Sequence, residues 1–78
     1  MVDSRYQIYH PIVGHLEWAT TKDEAFRIAH RISMDERANL PIIYVVDCMA
    51  HRRRVNSWEV WGLIGEPRPF VWELTCRL

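Results

Sequence analysis

Net charge is absent from this sequence, since ten Lys and Arg balance ten Asp and Glu with histidine neutral. No global field therefore draws the chain to nucleic acid or to an anionic membrane, and any such contact must come from a local patch. Glycine is scarce: Gly14, Gly62 and Gly65 stand apart from one another, so no glycine loop can cradle a phosphate. No nucleophile elbow and no paired catalytic carboxylates occur either, and an enzyme is not expected. Only two cysteines are present, 28 positions apart, and both are expected to be reduced. No window approaches a membrane span, and Met1 to Arg5 has no apolar stretch behind a basic segment, so neither an anchor nor a signal peptide is expected. The expected location is the cytoplasm. With 78 residues the chain has room for one domain with a single two-layer core, too small for a deep cavity, so no small-molecule substrate is expected.

What the chain does hold is a run of β-branched and aromatic residues, Ile42-Ile43-Tyr44-Val45-Val46, without alternation. Such a run is expected in a central strand covered on both faces. The strand is read as Pro41 to Met49.

Before it, Arg5 to His10 alternates as a half-buried strand, with Tyr6 and Ile8 on one side. Pro11 to Gly14 can turn, and His15 to Trp18 returns with Leu16 and Trp18 toward the core. Thr21 followed by Glu24 satisfies a capping box, so a helix starts there. Ala25, Ile28, Ala29 and Ile32, flanked by Phe26, form its apolar stripe. Asn39 can take a left-handed cap before Pro41, and the helix is expected from Thr21 to Ala38.

Beyond the central strand, Ala50 to Asn56 reads as an exposed loop, and Ser57 to Ile64 as a strand with Trp58, Val60 and Ile64 inward. Gly65 to Pro69 is expected to turn, because two prolines interrupt a ladder. Phe70 to Leu78 alternates, placing Phe70, Trp72, Leu74 and Cys76 inward. The order β-β-α-β-β-β gives a two-layer α+β sandwich: one helix packed on a four- to five-stranded, mainly antiparallel sheet. The strands flanking the helix are candidates for parallel neighbours through a right-handed crossover.

One helix covers one face of such a sheet. Alternation points Tyr9, Ile43, Val45, Trp61, Leu63 and Val71 to the other face, among Arg5, Gln7, Glu17, Glu59, Glu73 and Arg77. An apolar centre with a charged rim is the layout of a protein interface, and the partner is another protein or a second copy. Alternatively, loops such as Pro11 to Gly14 or Arg52 to Val55 fold over that face. The rival function is nucleic-acid or acidic-partner contact through His51, Arg52, Arg53, Arg54 and Arg68 near Trp58 and Trp61, opposed by the zero net charge. Cys48 and His51 have the spacing of half a zinc site, with Cys76, His15 or His10 as further ligands; one half-site does not support a metal or other cofactor. The same pair with Asp47 makes a poor catalytic triad, because sequence neighbours at a strand end rarely face one another.

In size, in its lack of catalytic motifs and in its excess of aromatics, the chain is similar to the small accessory proteins with which phages and mobile elements block host enzymes, anti-CRISPR proteins included. The resemblance implies a steric mechanism, in which the sheet, or the charged loop and helix face, occupies a partner's working surface.

Overall fold

The computed structural model describes residues 5–49, 54–62 and 64–72. Five strands and one helix follow in the order β1 Tyr6–His10, β2 Gly14–Ala19, α1 Lys22–Ser33, β3 Ile42–Asp47, β4 Ser57–Trp61 and β5 Ile64–Phe70. The strands form one antiparallel sheet ordered β2-β1-β3-β4-β5, with α1 packed on it: an α+β fold with β3 at its centre.

The hairpin from β1 to β2 turns through Pro11 to Gly14. His10 Nδ1 accepts from the backbone N–H groups of Ile12 (3.2 Å) and Val13 (3.3 Å), and Gly14 takes φ 94°, a left-handed conformation that needs no Cβ. Helix α1 begins where the capping residues place it, with Thr21 Oγ1 accepting from Glu24 N at 3.2 Å. Ala25 and Ala29 are fully buried, and their small side chains let the helix lie close to the sheet. Ile8, Ile43, Val45 and Val60 meet them from β1, β3 and β4, while Phe26 sets its ring against Trp58 at 5.6 Å and 76°. Each fully buried Val or Ile stabilises the fold by about 1.5–3 kcal/mol.

Four expectations are corrected. The helix ends at Ser33, not Ala38, because Asp35 starts a separate turn: its carboxylate accepts from Arg37 N, and its carbonyl accepts from Ala38 N and Asn39 N. Asn39 does take a left-handed φ of 53°, closing that turn instead of the helix. The strands flanking the helix are not parallel neighbours, since β1 lies between β2 and β3. Residues 65–69 do not turn but run inside β5, which is an edge strand. Pro67 and Pro69, two apart, turn their missing donors to the same side, and an edge strand can direct that side outward. Finally, Cys48 is disulfide-bonded instead of reduced, since distance along the chain does not decide distance in space; Cys76 lies outside the described residues.

Candidate functional site

Opposed residues in an antiparallel ladder share a face, so the register sorts the side chains. Tyr6, Ile8, Ile43, Val45, Trp58 and Val60 lie on the helix side. The other set, Gln7 with Val46 and Ser57, Tyr9 with Tyr44 and Glu59, and Ile42 with Trp61, lies on the open side. This corrects the placement of Ile43 and Val45: both are fully buried beneath the helix, and Ile42 and Tyr44 take the open face. Trp18 is corrected likewise, since it opposes Gln7 across the ladder. Tyr9 and Trp61 stand on the open side as expected, Val71 is exposed just past β5, and Leu63 lies outside the described residues.

The open side holds an aromatic cluster. Tyr9 and Trp72 meet edge to face with ring centroids 5.3 Å apart, as do Tyr44 and Phe70 at 5.6 Å and Tyr44 and Trp72 at 5.8 Å. Phe70 and Trp72 complete the cluster at 6.0 Å, tilted by 31°. Edge-to-face pairs contribute about 0.5–1.5 kcal/mol beyond their buried area. All four rings are half-buried. This corrects the inward placement of Phe70 and Trp72, which follows only if a new strand begins at Phe70; β5 starts at Ile64 instead, so Phe70 opposes Ser57 and takes the open side.

Trp72 is set in place by Asn56, the last residue of the stretch expected to be an exposed loop. The Asn56 Oδ1 accepts from Trp72 N at 2.7 Å and Asn56 Nδ2 donates to Trp72 O at 2.9 Å, as a neighbouring strand would. Ser57 Oγ also donates to Asn56 Oδ1 at 3.1 Å, and Asn56 and Ser57 are fully buried. An Asn just before a strand is a frequent turn residue, so nothing in the sequence marked this one as a bracket.

Polar groups edge the cluster. Tyr44 Oη donates to Glu59 Oε2 at 3.4 Å, and Trp61 Nε1 donates to Glu59 Oε1. Gln7 Nε2 donates to His15 Nδ1 at 3.1 Å, with the Trp18 ring 4.9 Å from that imidazole. Burial first, and then the charge and hydrogen bond of Glu59, hold the Tyr44 hydroxyl above the ordinary tyrosine pKa of 10.0. Unfolded chains release this proton from about pH 10 and the folded chain only at higher pH, so Tyr44 withdraws stability as pH rises through and beyond that value. Chemical denaturation at pH 9 and pH 11 is expected to show a smaller loss for Tyr44→Phe than for the parent. Equal losses would contradict the assignment.

Asp47, whose backbone N–H donates to Asn56 O at 2.7 Å, is buried and receives Arg5 in a fork: Nε to Oδ1 and Nη2 to Oδ2, each 2.9 Å, with Met49 N donating to Oδ1 at 3.0 Å. That carboxylate secures β1 to β3 and is not available to orient a Cys48–His51 pair. Cys48 in its disulfide offers no free thiolate to a metal. Among the described residues no three His, Cys, Asp or Glu side chains gather as a metal site. Of the basic group, Arg54 and Arg68 are exposed, toward the same end of the antiparallel β4–β5 pair, where Ser57 opposes Phe70 and Glu59 opposes Arg68, while His51, Arg52 and Arg53 lie outside the described residues. No helix among the described residues is long and apolar enough to cross a membrane.

Compared with protein-family models, with curated proteins and with solved structures, the chain has no match.

Proposed function

We propose that this chain is a small, non-enzymatic protein-interaction module that docks through the sheet face opposite its helix. The observation that supports this best is the cluster of Tyr9, Tyr44, Phe70 and Trp72, half-buried on the face that α1 does not cover. Aromatic anchors surrounded by polar groups supply most of the energy of protein interfaces. The hairpin tip beside the cluster adds two exposed apolar residues, Ile12 at 90 % and Val13 at 57 % exposure.

The partner in this reading is another protein or a second copy. Its finer form follows the resemblance to phage and mobile-element accessory proteins: a steric inhibitor whose sheet face covers the working surface of a host protein such as a CRISPR-type defence complex. A cytoplasmic site of action belongs to the same proposal, and the docking face must then hold in a chain whose Cys48 disulfide meets a reducing pool. Nucleic-acid contact through Arg54 and Arg68 has less support. Three of the four ring pairs stand edge to face, which leaves no row of flat surfaces for successive bases, and Glu59 sets a carboxylate beside Tyr44.

Trp72→Ser is expected to weaken partner capture or self-association at least tenfold, since an interface anchor contributes 2 kcal/mol or more, by about that measure. Arg54→Ala is expected to leave binding unchanged. The check is quantitative capture by the tagged chain from lysate, alongside sedimentation and far-UV circular dichroism to verify the fold. Undiminished capture by folded Trp72→Ser rejects the reading. Salt-sensitive binding of a single-stranded oligonucleotide, lost in Arg54→Ala or Arg68→Ala, would favour the rival.

A further inference from the structure

We propose that the hollow at the C-terminal end of α1 receives an arginine side chain of a partner protein. This is a second contact, separate from the aromatic face: none of the four clustered rings lines it.

Helix α1 ends at Ser33, the Asp35 turn follows, and Leu40 and Pro41 lead into β3, so both ends of the turn lie beside Trp61 and Gly62 at the close of β4. The backbones come close there. A Cβ on Gly62 would lie 2.7 Å from Ser33 O, so a side chain at this position would force the helix end and the strand end apart. Beside this contact is a hollow of about 440 Å³, with Met34, Leu40, Pro41 and Trp61 as its apolar walls. Pockets of roughly 300–1,000 Å³ hold ligands when a few polar groups fix the orientation.

Hydrogen bonding around the hollow is one-sided. Its donors are spent inside the fold: Met34 N and Ser33 Oγ on His30 O, Asp35 N on Ile32 O, Asn39 N on Asp35 O, Gly62 N on Pro41 O, and Trp61 Nε1 on Glu59. Its acceptors are not. Ser33 O, Asp35 Oδ2 and the Glu36 carboxylate receive no hydrogen bond among the described residues. Asp35 and Glu36 line the hollow, and no basic side chain does. His30, Arg31 and Arg37, the basic residues nearest along the chain, are exposed outside the lining, and none forms an ion pair with either carboxylate. The helix end adds its own negative pole, equivalent to about half an elementary charge. An occupant must therefore bring donors and positive charge, and an anion is rejected.

Arginine meets each condition. Its guanidinium has five donors and no acceptor, forks onto carboxylates and stacks on an aromatic face, while its aliphatic stem lies along apolar walls. The Trp61 ring is held by its N–H on Glu59, which leaves its remaining surface as a fixed wall for that stacking. A lysine brings charge but only three donors and no flat group.

The test is a titration of the ¹⁵N-labelled full chain with a capped alanine-alanine-arginine-alanine-alanine peptide and with its citrulline counterpart, which keeps the shape and loses the charge. The expected result is saturable shifts at Met34, Leu40, Gly62 and the Trp61 indole, with the arginine peptide binding about fivefold tighter, the upper range for an exposed ion pair. Asp35→Asn combined with Glu36→Gln changes two exposed residues, keeps an acceptor for Arg37 N, and should erase that preference. Trp72→Ser should leave this titration unchanged, so the proposal and the docking face fail separately. Equal binding of the two peptides, a preference that survives the double substitution, absence of saturation at millimolar peptide, or shifts confined to the aromatic cluster would each overturn the proposal.

Discussion

The Ile43→Asp chain is expected to be unfolded at 25 °C. Ile43 lies at the centre of β3, has no exposed surface, and packs in the core between the sheet and α1. Aspartate there loses about 1.5–3 kcal/mol of apolar burial and places a carboxylate among aliphatic groups, with no arginine beside it such as Asp47 has. A domain of this size has a total stability on the order of 4–12 kcal/mol, and burial of an unpaired charge removes several of them. Far-UV circular dichroism and the dispersion of the proton NMR spectrum check the outcome. Ile43→Val separates loss of volume from charge, and should cost only about 0.5–1.5 kcal/mol with the fold kept. A folded Ile43→Asp chain that had merely lost partner binding would mean that Ile43 belongs to the docking face and that the faces of β3 are exchanged.

Asn56→Ala should be the most damaging polar substitution to leave a folded chain. Its side chain makes three hydrogen bonds, two to the backbone of Trp72 and one to Ser57, from a fully buried position. Each such bond contributes about 1 kcal/mol net, and a buried group left without a partner costs about 1–3 kcal/mol, so a loss of about 2–4 kcal/mol follows. In a domain this small each kcal/mol lowers Tm by about 4–8 °C. The aromatic near-UV dichroism should collapse with it, because Trp72 is released from Tyr9 and Tyr44. Asn56→Asp tests the bracket by another route: it keeps the acceptor for Trp72 N and loses the donor to Trp72 O. A melting temperature within 2–3 °C of the parent for Asn56→Ala, roughly half a kcal/mol, would show that Asn56 does not secure the segment after β5.

Why some of this was legible in the sequence, and some not, follows from what each residue type can encode. The start of α1 was legible because Thr21 and Glu24 act on backbone groups three positions away. The hairpin at Pro11 to Gly14 was legible for the same local reason. The faces of β3 were not, because Ile42 to Val46 is apolar at every position, and a run without alternation fits either parity. Pairing with β1 and β4 decides it, and pairing is not local. Pro67 and Pro69 misled in the opposite sense: proline forbids a central strand and permits an edge, and only the sheet order tells which one it occupies. That single shift, which moves the last strand to Ile64–Phe70, carries Phe70 from the core to the open face, together with Trp72 just beyond. The excess of apolar sheet surface over what one helix can cover was therefore readable, whereas the residues that present it were half misassigned.

Photo-crosslinking from single positions, in cells that contain the natural partner, tests the docking face most directly. Benzoylphenylalanine at Val71, exposed at the edge of the aromatic cluster, is expected to yield a discrete protein adduct, and the same group at Arg27, exposed on α1, is expected to yield none. Adducts from position 27 with none from position 71 would place the working surface on the helix side and contradict the account.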